Sequence, residues 1–233
     1  MPADADRPKR DAAHAAVERF VEDRATLGLG SGTTSAFVVR RIGEKLAAGE
    51  LRDVRGIPTS EDTATLAWEA GIPLVGLSEA RPTLTLDGAD EIGPHLWAVK
   101  GLGGALLREK IVAAASRDGL VLVADGSKSV DALGTRAPLP VEVDPYGWEA
   151  TLEALSSLGC EPELRMDAAG SGRPFVTDGG HYTADCAFDA IGDPAALEAA
   201  IRSIPGALES GLFVGLALAA VVAGEDGVRV LEA

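Results

Sequence analysis

Lysine and aromatic residues are both scarce in this sequence. Only five lysines occur, Lys9, Lys45, Lys100, Lys110 and Lys128, and the aromatic fraction is 4%. A core with so few rings must be built from Ala, Val, Leu and Ile, which the hydrophobic fraction of 46% supplies. The formal net charge of -15 argues against binding to nucleic acid or to an anionic membrane surface, because both partners need basic patches.

Cysteines and long apolar runs are also rare. Cys160 and Cys186 show neither CxxC spacing nor a histidine cluster, so we expect no metal site and two buried, reduced thiols. The first ten residues lack the apolar segment of a signal peptide. The longest apolar run, residues 212–223, is too short to cross a bilayer. These absences predict a cytoplasmic protein without a membrane segment.

The hydrophobic pattern predicts an α/β fold. Short apolar stretches alternate with segments of helical period, which is typical of a Rossmann-like parallel sheet with helices on both faces. The predicted strands of this sheet are residues 26–29, 54–58, 72–77, the stretch around 84–86, and 120–124. The predicted helices are residues 11–24, the segment from 34 onward, 63–70 and 105–115. The third of these has two predicted N-terminal caps, Thr59 or Ser60.

A change in amino-acid composition near Arg136 predicts a second, smaller domain. The sequence there, RAPLPVEVDPYG, has three prolines and alternating valines. Residues 135–206 are expected to form an inserted α+β, ferredoxin-like domain, and residues 1–134 with 207–233 a discontinuous Rossmann-like catalytic domain. The inserted domain has predicted helices at 148–158 and 194–204 and predicted strands at 161–166, 175–177 and 182–188. The segments 212–217 and 219–222 are predicted to rejoin the main sheet, and residues 228–231 are predicted to form a final short strand.

A glycine-containing turn follows the first predicted strand. Residues 30–33 read Gly-Ser-Gly-Thr, and Ser31, Thr33, Thr34 and Ser35 offer hydroxyl groups. Free N–H groups at the start of the following helix favour an anion. The turn matches neither a P-loop nor GxGxxG. Two interpretations therefore remain, a phosphate-binding loop or a plain connection between a strand and a helix.

The next charged cluster lies between a predicted strand and a predicted helix. Asp87 and Asp90 follow the strand, Lys100 precedes a second glycine turn, and Glu109 lies near the start of the helix. Ligands of open α/β sheets bind in the crevice at the carboxyl ends of the strands. These side chains are therefore candidates for substrate contact. The alternatives are aspartates that form a turn and a surface lysine.

Glu109 is the candidate general base. Ala105 and Ala113 lie one turn before and after it, and Val112 is also near. A carboxylate among small apolar side chains is expected to have a raised pKa, which suits proton abstraction from carbon. The alternative is a glutamate that complements the helix dipole.

Lys128 follows another apolar predicted strand, and we expect it at the same sheet edge as Asp87. The histidines, in contrast, are isolated from one another in the sequence. His14, His95 and His181 are interpreted as ordinary surface or core residues.

Several segments together resemble one enzyme family. DGAD followed by KG-x-GG-x-x-x-REK is far more specific than a lone glycine loop. The further matching segments are GLGSGTTSAFVV, TSEDTATLAWEAGIPL, VADGSKSVDALG, PLPVEV, FVTDGG, IPGALESGLF and EDGVRVLE. They span nearly the whole chain, and they are similar to the type A family of ribose-5-phosphate isomerase.

The resemblance implies reversible conversion of ribose 5-phosphate to ribulose 5-phosphate through an enediol. It implies that Glu109 is the general base, that Asp87 handles hydroxyl protons and ring opening, that Asp90 orients the substrate, and that Lys100 stabilises the enediolate oxygen. It implies that Lys128 contacts the phosphate. The substrate-binding residues that it implies are Ser31, Gly32, Thr33, Thr34, Asp87, Gly88, Ala89, Asp90, Lys100, Gly101, Leu102, Gly103 and Lys128.

The same resemblance implies no metal, no organic cofactor, and a homodimer or homotetramer. Two positions depart from the family pattern. Leu102 stands where glycine is usual, and Gly180 stands where asparagine is common after TDG. Neither position carries a catalytic role, so only the details of loop shape are in question.

Two other functions are compatible with the fold. A coenzyme A transferase would use Glu109 as a nucleophile, but no segment suggests a pocket for the nucleotide tail. A non-catalytic sugar-phosphate sensor would usually carry a DNA-binding domain, for which this chain has neither the length nor the charge.

Overall fold

The computed structural model describes residues 6–232, and the chain divides into two compact units. The first unit comprises the described chain up to Ala89, Arg108–Lys128 and the chain from Gly215 onward; the second comprises Asp90–Leu107 and Ser129–Val214. These units reflect the density of internal contacts. The predicted domains, 1–134 with 207–233 and 135–206, are proposed folding units, and their boundaries stay a prediction.

Within residues 6–232 the backbone forms α-helices and short β-strands in alternation. The helices are α1 (Arg7–Phe20), α2 (Gly32–Ala47), α3 (Glu61–Glu69), α4 (Leu106–Ala115), α5 (Trp148–Ser156) and α6 (Pro194–Arg202). The strands are β1 (Thr26–Leu29), β2 (Arg55–Pro58), β3 (Leu84–Gly88), β4 (Glu91–Ile92), β5 (Ala98–Val99), β6 (Leu120–Asp125), β7 (Leu139–Val143), β8 (Glu161–Leu164), β9 (Tyr182–Ala187), β10 (Ala207–Ser210), β11 (Leu212–Phe213), β12 (Ala217–Gly224) and β13 (Gly227–Glu232). None of the helices described here is long and apolar enough to cross a membrane.

The first unit is built on a six-stranded sheet in the order β13-β12-β6-β3-β1-β2. The neighbours from β2 to β12 pair in parallel, and β13 adds an antiparallel edge. Strand β6 is buried along Leu120–Ala124, as expected for a parallel strand covered on both faces. The α/β fold with a parallel sheet is confirmed.

Helix α4 packs closely on this sheet at a glycine. A Cβ atom on Gly28 of β1 would lie 2.0 Å from Oγ1 of Thr85 and 2.7 Å from Cγ1 of Val112. One turn after Val112, just beyond the end of α4, the hydroxyls of Thr85 and Ser116 are 2.7 Å apart. Glycine at position 28 therefore allows α4 to approach the sheet, and this contact fixes the height of the helix along the strands.

The second unit contains two antiparallel sheets. The larger has the order β10-β7-β9-β8, and the smaller has the order β11-β5-β4. Buried apolar residues of this unit include Leu139, Val141 and Val143 of β7, Leu155 of α5 and Ile201 of α6. These two sheets with α5 and α6 agree with the smaller α+β fold that the sequence predicts in addition to the parallel sheet.

Both cysteines lie in the second unit, and both are buried free thiols, as the sequence predicts. The Sγ atom of Cys160 donates to the carbonyl of Leu155 at 3.3 Å. The hydrogen bond with Cys160, together with burial, raises the pKa of Cys186. The two thiols therefore form one buried polar contact inside an apolar core.

Three predicted strands are wrong. Residues 72–77 contribute only an isolated bridge between Leu74 and Gly56; Pro73 lacks the N–H group that a ladder needs there. Residues 175–177 form a loop in which apolar side chains serve tertiary contacts. Residues 212–217 do not rejoin the main sheet, because β11 pairs with β5 and only the strand from Ala217 returns.

The predicted helices occur with shifted ends. Helix α1 begins at Arg7 and ends at Phe20, whereas the pattern predicts residues 11–24. Helix α2 begins at Gly32, two residues before the predicted start. Ser60 caps α3 by accepting the N–H of Thr63 at 3.0 Å, which confirms one of the two predicted caps.

Candidate active site

The predicted site residues fall into two groups, one in each unit. The first unit holds residues 31–34, Asp87, Gly88, Ala89, Glu109 and Lys128. The second unit holds Asp90 and residues 100–103. Whether the two groups act on one molecule stays a prediction.

Asp87 is the best-fixed polar side chain of the first group. It lies on β3 and is 1% exposed. Its Oδ1 atom accepts hydrogen bonds from the N–H of Ser31 at 3.1 Å, the hydroxyl of Ser35 at 3.0 Å and the N–H of Gly88 at 2.7 Å. Hydrogen bonds of this kind hold a carboxylate in one orientation.

The sequence identifies Ser35 only as a hydroxyl group near the glycine turn and not as a partner of Asp87. Besides donating to Asp87, its hydroxyl accepts the N–H of Gly88 at 3.0 Å. Ser35 lies in the first turn of α2 and is buried. Its burial and its partner on β3 are known only from the structure, so the sequence carries no local signal for this contact.

The turn before α2 is held from both sides. The hydroxyls of Ser31 and Thr59 are 2.6 Å apart, and Thr59 donates to the carbonyl of Leu29 at 3.0 Å. Because α2 begins at Gly32, the N–H groups of Gly32, Thr33 and Thr34 belong to the first turn, where amides have no partner within the helix. Gly32 has φ 84°, a conformation that favours glycine. The arrangement suits an anion.

Glu109 lies near the beginning of α4 and is 4% exposed. Val112 and Ala113, the next turn of the same helix, are also buried, which agrees with the predicted apolar surroundings. Ser116 contacts Thr85 near the start of β3, and Glu109 is seven residues, about 10 Å, back along the helix. The carboxylate therefore lies toward the carboxyl end of the strands.

Lys128 ends a short 3-10 helix that directly follows β6. Asp125 organises this turn by accepting the N–H of Ser127 at 2.9 Å. Lys128 is half-buried. Strands β1, β3 and β6 are parallel neighbours, so Ser31, Asp87 and Lys128 lie at the same edge of the sheet, as the sequence predicts.

The second group is built around Lys100, which is 2% exposed. Its N–H donates to the carbonyl of Gly211 at 2.9 Å, and its Nζ atom lies 5.3 Å from the ring centroid of Phe213. Position 211 must be glycine, because a Cβ atom there would lie 2.1 Å from the carbonyl oxygen of Lys100. The surface-lysine alternative is therefore wrong for this residue.

The glycine turn after Lys100 runs through Gly101, Leu102 and Gly103. The N–H of Leu102 donates to Oδ2 of Asp90 at 3.0 Å, so this aspartate does organise a turn. Leu102 itself is 41% exposed, and a Cβ atom on Gly103 would meet nothing within 4 Å. The leucine that departs from the family pattern is thus accommodated at the surface of the turn.

His181, His95 and Gly180, the second position that departs from the family pattern, have structural explanations. Nδ1 of His181 lies 2.8 Å from Oε1 of the buried Glu142, which also accepts the hydroxyl of Thr177. His95 has φ 60° and stacks obliquely near Trp97. Gly180 has φ 82°, a left-handed conformation that both glycine and asparagine tolerate. None of these contacts involves a predicted site residue.

Comparison with known proteins identifies the family. The model of the family ribose 5-phosphate isomerase A (phosphoriboisomerase A) matches residues 55–227. A ribose-5-phosphate isomerase A from Gloeobacter violaceus is 55% identical over 98% of this chain and 97% of its own length. One from Roseiflexus castenholzii is 52% identical over 96% of this chain and 94% of its own length.

Solved structures agree with the sequence relatives. A D-ribose-5-phosphate isomerase in complex with phospho-erythronic acid has a TM-score of 0.94 and 38% identity, covering 98% of this chain and 99% of that chain. The ribose 5-phosphate isomerase from Plasmodium falciparum has a TM-score of 0.93 and 36% identity at the same coverage. The chain belongs to the ribose 5-phosphate isomerase A family.

Proposed function

We propose that this protein interconverts D-ribose 5-phosphate and D-ribulose 5-phosphate, as an aldose–ketose isomerase of the non-oxidative pentose phosphate pathway. The observation that carries the proposal is the burial of Glu109, which is 4% exposed at the start of a helix. A buried carboxylate near the carboxyl end of a parallel sheet suits a general base for a proton bound to carbon.

Glu109 performs the carbon proton transfer. In the direction from aldose to ketose, its carboxylate removes the proton from C2 of the open-chain sugar, and the electron pair moves to form the C1–C2 double bond of an enediolate. The protonated carboxyl then returns the proton to C1, and the C2 hydroxyl becomes the carbonyl. The net reaction moves hydrogen within one molecule and consumes no oxidant or reductant.

Asp87 handles the hydroxyl protons. Its Oδ1 atom is held by three donors, so the carboxylate has a fixed direction. This pre-orientation suits opening of the furanose ring and the proton exchange between O1 and O2 that accompanies enediol formation.

Lys100 and Asp90 have the roles that the family resemblance implies. The Lys100 ammonium group stabilises the negative charge that develops on the enediolate oxygen, and Asp90 orients the sugar. Backbone groups at Gly88, Ala89 and residues 101–103 complete the substrate contacts.

The phosphate is bound at the sheet edge of the first unit. Ser31 and the first-turn amides of Gly32, Thr33 and Thr34 offer hydrogen bonds at the positive end of the α2 dipole. Lys128, which follows β6, adds a full positive charge. These groups supply a local positive field in a chain whose net charge is -15.

The chain functions as a cytoplasmic homodimer or homotetramer that needs neither metal nor organic cofactor. The reduced state of Cys160 and Cys186 suits a reducing compartment. Light scattering during size-exclusion chromatography tests the assembly; a monomer at working concentration would contradict it.

Isomerisation in deuterium oxide with a chelator tests the function. The purified protein is incubated with ribose 5-phosphate, and the products are examined by NMR. We expect ribulose 5-phosphate with deuterium at C1, because the proton on the Glu109 carboxyl exchanges with solvent during the lifetime of the enediol and a deuteron is then delivered to C1. A protein that forms no ketose, under conditions where a reference isomerase does, would overturn the proposal.

A further inference from the structure

The glycine turn after Lys100 is held by a side chain from a distant part of the second unit. Arg165 directly follows β8, and its Nη1 atom donates to two consecutive carbonyls, that of Gly101 at 3.1 Å and that of Leu102 at 3.0 Å. One guanidinium nitrogen thereby fixes two successive peptide planes of the turn.

Asp185 of β9 fixes the guanidinium group in turn. Nε of Arg165 donates to Oδ2 of Asp185 at 2.8 Å, and Nη2 donates to Oδ1. The Arg165 side chain is only 14% exposed, and its Cζ atom lies 5.8 Å from the ring centroid of Phe175. A two-pronged pair beside an aromatic ring is a rigid arrangement that only arginine provides.

The turn needs such external support. Gly101 and Gly104 have φ 102° and φ 82°, and a backbone rich in glycine loses more conformational entropy on ordering than any other. Within the turn, the N–H of Gly104 donates to the carbonyl of Gly101 at 2.9 Å. A Cβ atom on Gly104 would lie 2.4 Å from the Phe175 ring, so Phe175 closes the turn from the same side as Arg165.

We infer that Arg165, held by Asp185, is a positioning residue for the isomerisation. It fixes the turn that follows Lys100, while the bond from Lys100 N–H to the carbonyl of Gly211 fixes the other side of the lysine. Arg165 does not touch the substrate; it acts through residues 100–103. This inference rests on the proposed function, in which the Lys100 ammonium stabilises the enediolate.

The position of Lys100 matters most when charge develops on the substrate oxygen. Loss of the Arg165 bonds to this turn should therefore lower kcat more than it changes KM, because binding of the phosphate depends on residues of the first unit. A displacement of about 1 Å at a charge-stabilising group can cost about 100-fold in rate. A residue with only a structural role would lower thermal stability without this split.

Steady-state kinetics of four variants test the inference. We expect Arg165→Ala to lower kcat by about 100-fold with KM within about threefold of the wild type. Arg165→Lys should not restore kcat, because an ammonium group has only three N–H donors on one atom and cannot replace the two bonds to Asp185 together with the two carbonyl bonds. Asp185→Asn should give an intermediate loss. Arg202→Ala is the matched control, since Arg202 forms the more exposed pair with Glu209 in the same unit and should retain the wild-type kcat.

Hydrogen exchange keeps the test decisive if a variant is unstable. In Arg165→Ala, amides of residues 100–107 should exchange faster while those of β7 and β9 stay protected. Wild-type kcat in Arg165→Ala, recovery of kcat in Arg165→Lys, or a loss of protection across the whole unit would each overturn the positioning role. If the wild type itself forms no ketose, the proposed function fails instead.

Discussion

A Cβ atom on Gly30 would lie 2.0 Å from Oδ1 of Asp87. The main chain of Gly30 is fixed at that place, because its N–H donates to the carbonyl of Leu86 at 3.0 Å and its carbonyl accepts the hydroxyl of Thr63 at 3.0 Å. The turn after β1 and the carboxylate of β3 thus touch at a point where only glycine fits. The orientation of Asp87 depends on a residue that has no side chain.

Replacing this glycine should therefore impair the reaction. We expect Gly30→Ala to push Asp87 away from its donors and to lower kcat/KM by about 100-fold or more, measured as ketose formation from ribose 5-phosphate. Gly224→Ala is the control in the same unit, because a Cβ atom on Gly224 meets nothing within 4 Å. Equal activity of the two variants would show that the Asp87 orientation is not required.

Replacing the Glu109 carboxylate with a neutral amide should abolish isomerisation but leave ligand binding intact. We expect Glu109→Gln to lower kcat by at least about 10²–10⁴-fold, the usual contribution of general base catalysis. Ribose 5-phosphate, the proposed substrate, should still bind to the variant in titration calorimetry, because the phosphate contacts are intact.

Glu69→Gln changes an exposed glutamate at the end of α3 and should leave both kcat and binding unchanged. Turnover of Glu109→Gln within about tenfold of the wild type would remove this residue from the proton transfer.

Lys128 should contribute mainly to binding. Loss of a hydrogen bond to a charged group costs about 1.5–3 kcal/mol, so we expect Lys128→Ala to raise KM by about 10–100-fold with a smaller change in kcat. The effect should shrink in molar salt, because added ions screen the half-buried lysine. Lys45→Ala, which removes a lysine paired with Glu18, is the control. An unchanged KM would refute the phosphate contact.

The sequence predicts the parts of this molecule that depend on local pattern. The buried run of β6 and the cap of α3 at Ser60 follow from hydrophobic period and capping chemistry, and both are confirmed. The predicted strand at residues 175–177 is wrong. Phe175 packs on Gly104, which lies far away in the chain, and this contact explains its apolar side chain.

The polar contacts that fix the candidate site lie beyond such patterns. Ser35 and Arg165 hold Asp87 and the glycine turn through bonds that join residues separated by 52 and by 63–64 positions. A serine inside a helix and an arginine after a strand carry no local signal of these partners. The family resemblance implies the site residues themselves. The side chains that orient those residues are identified only from the structure.

Glu91 should matter for stability rather than for chemistry. Its carboxylate is fully buried, and it accepts the N–H groups of Gly134, Arg136 and Ala137 at 2.5, 2.6 and 2.9 Å. Glu91→Ala would remove three hydrogen bonds to a charged group, and each such bond contributes about 1.5–3 kcal/mol. We expect the free energy of unfolding to fall by about 3 kcal/mol or more, measured by urea denaturation.

The matched control for Glu91 is Glu163→Ala, which removes an exposed glutamate from β8 of the same unit; its denaturation midpoint should stay near that of the wild type. Glu91→Gln should fall between the two, because its amide oxygen can still accept from part of the loop while its NH₂ group faces another donor. A Glu91→Ala midpoint equal to that of Glu163→Ala would mean that solvent reaches residues 134–137 and replaces the carboxylate. In that case the loop after β6 would be held by its apolar contacts, of which Leu133 is the buried member.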